Sequence, residues 1–456
     1  MDWLDSLGGD PRPEVLLTSA IIAALVLGPM IKEGLQGRFS IWSLKTGFLL
    51  IVMVQFSVWP LYMYMARVQQ IFLLGITFWT SRYDEFVWGQ WCVIAGLIAF
   101  YIGYYLRPHA YAAVVRHRWF DRATVIPDRG YLKIFWGSVV ITAIAFAAMM
   151  ASTGGVVYFL QNIDTLRTTA GAGWGVFLLP IQACQVGCVL YMARSMEEGK
   201  SLFLPIAATL LQAACGFVVG QRALLLAPIA GILLCYHVHV RPIRFSLRQA
   251  AGLIAFLLFN MWYTVFRGTG DFSLDSVSKI PVDVFALGLL GRFHGSESLA
   301  RIVQYTDHTG FNFAIPYLKD YVVQTTPRFL YPEKTSIGVI ENITFFPETF
   351  NGTETGSAVP SLMGELYWAG GIVAIVLALY AHGRIFRRAE EDLKRPSPIQ
   401  TTIYWCLFSY ILIANESIDF HTWLLLFRLG TLAALIGIFR VRVPHRTVED
   451  PSAEPI

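Results

Sequence analysis

Four arginines stand out by their neighbours: Arg222 in Gly220-Gln221-Arg222, Arg267 in Phe266-Arg267-Gly268, Arg292 in Gly291-Arg292-Phe293 and Arg328 in Pro327-Arg328-Phe329. Each lies at the end of an apolar run or in a long connection between two such runs. A guanidinium is planar, permanently charged and shaped for bidentate contact with phosphate oxygens. Several at one level would clamp a diphosphate, whereas singly each would serve as an anchor snorkelling to lipid phosphates. Groups able to take a proton from a hydroxyl stand close by: His294 and Glu297 beside Arg292, and Glu365 in Ser361-Leu362-Met363-Gly364-Glu365. Glu365 falls near the start of an apolar span, where the positive end of a helix dipole favours a carboxylate; pairing with an arginine is its alternative use. Glu416 and Asp419 are three apart, so they share a face if their turn is helical. They would act as bases or neutralise Arg428.

The elements that must position these groups are membrane spans. Of 456 residues, 55% are apolar and only 14% charged, where a soluble chain carries roughly 25%. Mean hydropathy is +0.54. Disorder, a disulfide-stapled secreted domain and a nucleic-acid binder fit this composition poorly. The acidic start (Asp2, Asp5, Asp10) is unlike the basic start of a cleavable signal peptide. Eleven apolar runs near the roughly 20 residues needed to cross a bilayer are expected near 14–31, 46–65, 89–106, 134–152, 174–193, 202–220, 223–240, 249–266, 362–383, 399–415 and 422–439. A shorter run, Ile71 to Thr80, cannot span and is expected to lie along the interface. With the N-terminus outside and the C-terminus inside, the inner connections hold 22 of the 35 basic residues, against five on the short outer segments. The positive-inside rule therefore supports that orientation.

The expected architecture is an all-α, polytopic helix bundle: eight spans in 1–266, a large extracytoplasmic connection over 267–361, three spans in 362–440, and a cytoplasmic tail over 441–456. The long connection is rich in aromatic residues and punctuated by Pro327, Pro332, Pro347 and Pro360, with a helical pattern over Asp283 to Gln304. Loops of such length are usually functional, and this one is expected to form a helical cap over the outer helix ends. Arg428 lies inside the last span, where an unpaired charge costs about 2.5 kcal/mol or more.

No metal is implied. The outer side has no Asp-x-Asp or His-x-x-x-His pair. All six cysteines fall in apolar stretches and read as small buried hydrophobes; Cys184 and Cys188, one turn apart, could alternatively hold a soft metal. His237 and His239 flank the inner end of a span without acidic partners, and two glycosylation sequons, at Asn342 and Asn351, are matches that occur by chance.

The ordered set Gly220-Gln221-Arg222, Phe266-Arg267-Gly268, Gly291-Arg292-Phe293 with Glu297, Pro327-Arg328-Phe329-Leu330-Tyr331-Pro332 and Ser357-Ala358-Val359-Pro360-Ser361-Leu362-Met363-Gly364-Glu365 resembles bacterial Wzy-type oligosaccharide repeat-unit polymerases. The likeness covers about half the chain, from Gly220 onward. The turn Asn415-Glu416-Ser417-Ile418-Asp419 is similar to an Arg-Glu turn in some members, with Asn415 in place of the arginine. The resemblance implies a metal-independent, GT-C-type glycosyltransferase of the bacterial inner membrane without a cofactor. Its substrates would be undecaprenyl-pyrophosphate-linked glycans, and a flippase and a chain-length regulator of the same pathway would be its partners; no nucleic acid is involved. Arg222, Arg267, Arg292 and Arg328 would contact pyrophosphate, and His294, Glu297 or Glu365 would be the base. Two rival readings stand beside it. An O-antigen ligase would use similar parts to hand finished polymer to lipid A-core. A lipid-linked oligosaccharide flippase or secondary transporter would instead show mid-membrane charges and broken helices in two matching halves. A non-catalytic membrane subunit of an assembly complex is a further possibility.

Overall fold

The computed structural model describes residues 13–65, 70–73, 76–79, 83–106, 124–152, 154–155, 157–158, 175–219, 222–243, 295–311, 313, 361–394, 396–413 and 418–442. The helices are α1 (Pro13–Leu35), α2 (Leu44–Met53), α3 (Trp59–Met65), α4 (Tyr83–Tyr105), α5 (Asp128–Ser152), α6 (Gly175–Glu197), α7 (Phe203–Val219), α8 (Arg222–His239), α9 (Gly295–Thr309), α10 (Leu362–Asp392), α11 (Pro398–Ile413) and α12 (Ile418–Phe439). A π-helical segment, Val54–Val58, joins α2 to α3 without a break in the chain's path. Among the described residues six helices are long and apolar enough to cross a membrane, and Phe203–Gly216, Leu225–His239 and Leu424–Phe439 are shorter apolar helices. This is a polytopic helical membrane protein. Helices occupy ten of the eleven expected spans; the eighth, 249–266, lies outside the described residues. The short run that cannot span forms a hairpin, β1 (Gln70–Leu73) and β2 (Ile76–Trp79), paired antiparallel with Gln70 opposite Trp79. Its content of β-branched and aromatic residues suits a strand, and the run is too short for a span. A two-residue pair, β3 (Thr124–Val125) with β4 (Val441–Arg442), joins the segment before α5 to the end of α12.

One end of the bundle is drawn together by polar side chains. A carboxylate oxygen of Glu390, near the end of α10, accepts from Ser43 Oγ at 2.6 Å and from the Lys45 amide at 3.2 Å. It thereby caps the start of α2 from another helix, while its other oxygen accepts from the Tyr104 hydroxyl at the end of α4. The buried Lys45 ammonium pairs with Glu33 of α1. Tyr404 in the first turns of α11 donates to Trp42 O at 2.7 Å, and His239 at the end of α8 bonds Thr401 at 2.9 Å. Arg194 at the end of α6 reaches Asp128 at the start of α5 at 3.0 Å. Just beyond α6, a hydrogen bond to Glu198 holds the Lys200 ammonium above its ordinary pKa. These bonds gather at one end the termini that the charge pattern assigns to one side of the membrane. They also fix the ends that face away: the starts of α8 and α12 lie at the opposite end, whereas the start of the broken α10 lies within the bundle, Leu362 and Met363 lining the same small cavity as His382.

Glycines set the tightest packing. α4 carries Gly89, Gly96 and Gly103 at seven-residue spacing. A Cβ at Gly96 would stand 2.7 Å from Ile375 and Leu379, one at Gly103 would collide with the Tyr380 carbonyl, and one at Gly383 would meet the Phe100 carbonyl. α4 and α10 therefore run side by side in the same direction with backbones in contact, the usual solution where lipid supplies no hydrophobic driving force between helices.

Candidate functional site

At the end opposite the polar knot, three elements converge on α9, the described part of the long connection. The first six residues of α9 are all buried, so the start of this helix is enclosed by its neighbours, while most of the expected cap, 267–294 and 314–360, lies outside the described residues. Its seat is shaped by small residues. A Cβ at Gly364 of α10 would stand 2.6 Å from Ile302, one at Gly89 of α4 would be 3.1 Å from Leu299, and one at Gly295 would be 2.9 Å from the Gln55 amide on the π segment. π segments inside helices are rare and frequent at functional sites, because the extra residue turns side chains to a new direction. Here the segment includes the buried Gln55, against which α9 begins.

Ser361 locks α9 to α10. Its hydroxyl oxygen accepts from the Gly364 amide at 3.2 Å, capping α10, and its proton is donated to the Gly295 carbonyl at 3.2 Å. One side chain thus satisfies an orphan donor at a helix start and ties two first turns together. Those turns carry the two expected carboxylates, Glu297 as the third residue of α9 and Glu365 as the fourth of α10. Each is 2% exposed. Burial of an acid is costly, and at both positions the positive end of its own helix offsets part of that cost.

α10 itself is broken. Gly370 and Gly371 leave helical geometry, Gly371 with φ of +65°. That left-handed value suits glycine, and a Cβ there would also stand 2.9 Å from Phe311 just beyond α9. The short first segment, Leu362 to Ala369, is thereby freed from the axis of the long second one. It is held by Tyr367, whose hydroxyl accepts from the Trp88 indole at 3.0 Å. A cavity of about 20 Å³, room for one water, lies below, lined by Gln55, Leu362, Met363, His382 and Tyr410 among others. His382 Nδ1 donates to Ala378 O at 2.7 Å, which leaves Nε2 to accept from the Tyr410 hydroxyl at 3.2 Å. This space is far too small for a sugar or a lipid.

Of the remaining site candidates, Arg222 is the first residue of α8. Arg267, Arg292, Arg328 and His294 lie outside the described residues, His294 immediately before α9. Glu416 lies outside them as well. Asp419 is the second residue of α12, and its side chain lies outside the described residues. Among the described residues, Arg428 donates to the neutral Ser409 and Gln185. Among the described residues no group of three or more His, Cys, Asp or Glu could hold a metal, and Cys184 and Cys188 are buried free thiols.

Sequence reasoning did not assign Ser361, Gln55 or Gly371 a role. The Ser-x-x-Gly start of α10 is a readable cap signal, whereas the π segment leaves no mark in the residues. Comparison with protein-family models, with characterised proteins and with solved structures gives no match.

Proposed function

We propose that the protein is a membrane glycosyltransferase that extends an undecaprenyl-pyrophosphate-linked oligosaccharide by repeat units. The observation that carries this reading is the pair of buried carboxylates, Glu297 and Glu365, on two helix starts joined through Ser361 and Gly295. Arg222 opens α8. On this reading the end that gathers Lys45, Arg194 and Arg387 faces the cytoplasm, and the reaction takes place on the periplasmic side of a bacterial inner membrane.

The chemistry needs two things from the protein. The anomeric C–O bond of the donor breaks, its electron pair leaves with the lipid pyrophosphate, and arginines placed beforehand stabilise the charge that develops. Arg222, Arg267, Arg292 and Arg328 are assigned that task. The acceptor hydroxyl forms the new glycosidic bond and gives its proton to a base, for which Glu297, Glu365 and His294 are the candidates. The embedded α9 would hold both sugars in reach of these groups, and positioning of that kind supplies much of the rate in a two-substrate transfer.

Purified protein in nanodiscs, given one type of lipid-linked repeat and no other acceptor, tests the reading. Lengthening into a ladder that disappears in Arg222→Ala is expected. A product formed only when lipid A-core is added makes the enzyme a ligase, and no glycan product in either case removes the transferase reading. The transporter reading is favoured by one observation, the glycine break in α10 with a buried arginine elsewhere in the bundle. It predicts lipid-linked glycan crossing proteoliposome membranes without any change in glycan length.

A further inference from the structure

The π segment depends on a side chain from another helix. Trp59 gives its amide proton to the Val54 carbonyl, five residues back. Pro60, which follows, has no amide proton to give to the Phe56 carbonyl four residues back. Between membrane spans neither lipid nor an apolar core supplies a donor in its place. Gln90 of α4 does. Its Nε2 donates to Phe56 O at 3.3 Å and to Ser19 Oγ of α1 at 3.2 Å, while its Oε1 accepts from the Thr18 hydroxyl. Ser57, the next residue of the π segment, donates to Ser19 O at 2.9 Å. Gln90, Thr18, Ser19 and Ser57 are all buried.

The same residues adjoin the carboxylate-bearing turns. Gly89, directly before Gln90, makes the seat of Leu299 on α9, where a Cβ would stand 3.1 Å from that side chain. Gln55, directly before Phe56, stands against Gly295 at the start of α9. It also lines the small cavity together with Leu362 and Met363, the first residues of α10. Two consecutive residues of α4 therefore hold α9 and the π segment, and two consecutive residues of the π segment hold α9 and Gln90. Both protons of the Gln90 amide are spent on different elements, which fixes the plane of the amide and with it the position of the Phe56 carbonyl. A residue that only filled space at position 90 would need no amide.

We propose that Gln90 is a positioning residue of the site: through the Phe56 carbonyl it sets where Gln55 stands, and through Gln55 it seats the α9 turn that carries Glu297. That this turn serves glycosyl transfer rests on the proposed function; the positioning rests on the contacts alone.

A disulfide placed across the seat tests this in the full chain in nanodiscs. A Cβ at Gly295 stands 2.9 Å from Gln55 Cδ, so Gln55→Cys with Gly295→Cys brings two thiols within reach of a bond whose Cβ atoms lie about 4 Å apart. The six native cysteines are buried free thiols, and the mass after alkylation in denaturant counts the thiols that remain. With Gln90 present, mild oxidation closes the new pair. Gln90→Met keeps the volume, loses the three hydrogen bonds and closes the pair at least tenfold more slowly in protein that still gives a cooperative melting curve. Without the cysteine pair, Gln90→Met lowers kcat for chain extension at least tenfold and leaves KM for the lipid-linked repeat within twofold. A residue of merely structural importance would lower the melting temperature and move neither readout. Unaltered closure in Gln90→Met overturns the proposal, as does unaltered kcat beside slowed closure, or a pair that stays open with Gln90 present. Should Gln90→Met fail to fold, Gln90→Asn carries both readouts. It keeps the amide but draws it back by one methylene, and unaltered closure again overturns the proposal. Gln90-dependent closure in a protein that never lengthens lipid-linked glycan rejects the polymerase reading and keeps the positioning role. Lengthening with closure that ignores Gln90 rejects the positioning role alone.

Discussion

Ser361→Ala is the sharpest perturbation of the junction between α9 and α10. The hydroxyl does two jobs in one buried place, accepting from the Gly364 amide and donating to the Gly295 carbonyl, both at 3.2 Å. Loss of an N-cap side chain costs about 1 kcal/mol. The Gly295 carbonyl, left without its donor in a site closed to water, adds about 1–3 kcal/mol. The two act on different groups, so the sum is roughly 2–4 kcal/mol. Part of that loss should appear as detachment of the start of α9, because the lost bond is the link between the two helices. The assay pairs unfolding in detergent with chain extension by the same preparation. Ser361→Ala is expected to lose most of its activity at temperatures where it is still folded, and Ser361→Thr, which keeps the hydroxyl, to retain it. An alanine variant with stability and activity both within error of wild type would refute the claim that Ser361 holds the two carboxylate-bearing turns together.

Glu365→Gln and Glu297→Gln preserve volume, and at least one of them is expected to slow chain extension roughly 10²–10⁴-fold, the usual range for loss of a general base, read as turnover by gel. Glu390→Gln replaces with a donor one of the two carboxylate oxygens that accept from Ser43 and Lys45 or from Tyr104 at the far end; it should cost about 1.5–3 kcal/mol of stability and leave turnover per folded molecule unchanged. Gly103→Ala places a methyl group against the Tyr380 carbonyl and is expected to cost about 1–3 kcal/mol through overpacking, measured as a lower melting temperature in detergent.

The spans were legible because a membrane helix must satisfy its own backbone bonds and present some 20 apolar residues to lipid; both demands are local. The position of Glu365 in the first turns of its span was legible for the same reason. The burial of α9 was not, since Glu297 and its two serine neighbours give the helix start a polar appearance. What buries it is the absence of side chains on other elements, at Gly89 and Gly364, which no reading of the 267–361 segment alone could supply. The seven-residue spacing of Gly89, Gly96 and Gly103 was a signal available in the residues, and it marks the face of α4 that α9 and α10 share. Arg428 was visible as a charge in an apolar run, but its partners come from α6 and α11, more than 240 residues and 19 residues away.

The irregular elements of this protein are not scattered. The π segment at Val54–Val58 and the break at Gly370–Gly371 both lie toward the end where α9 is embedded, whereas the opposite end is closed by the net around Glu390. A break in a membrane helix releases backbone amides and carbonyls that lipid cannot satisfy, so it persists only where protein or a polar cavity covers it. Phe311, immediately past α9, covers the break at Gly371, and Gln55 on the π segment covers the start of α9. The docking of α9 and the bend of α10 are therefore interdependent: neither is favourable without the other. Glu365, on the short arm of the bent helix, takes its place only when α9 brings Glu297 beside that arm. Two proton-accepting groups so placed would be assembled by a single packing event, and a substrate that displaced α9 would disassemble both.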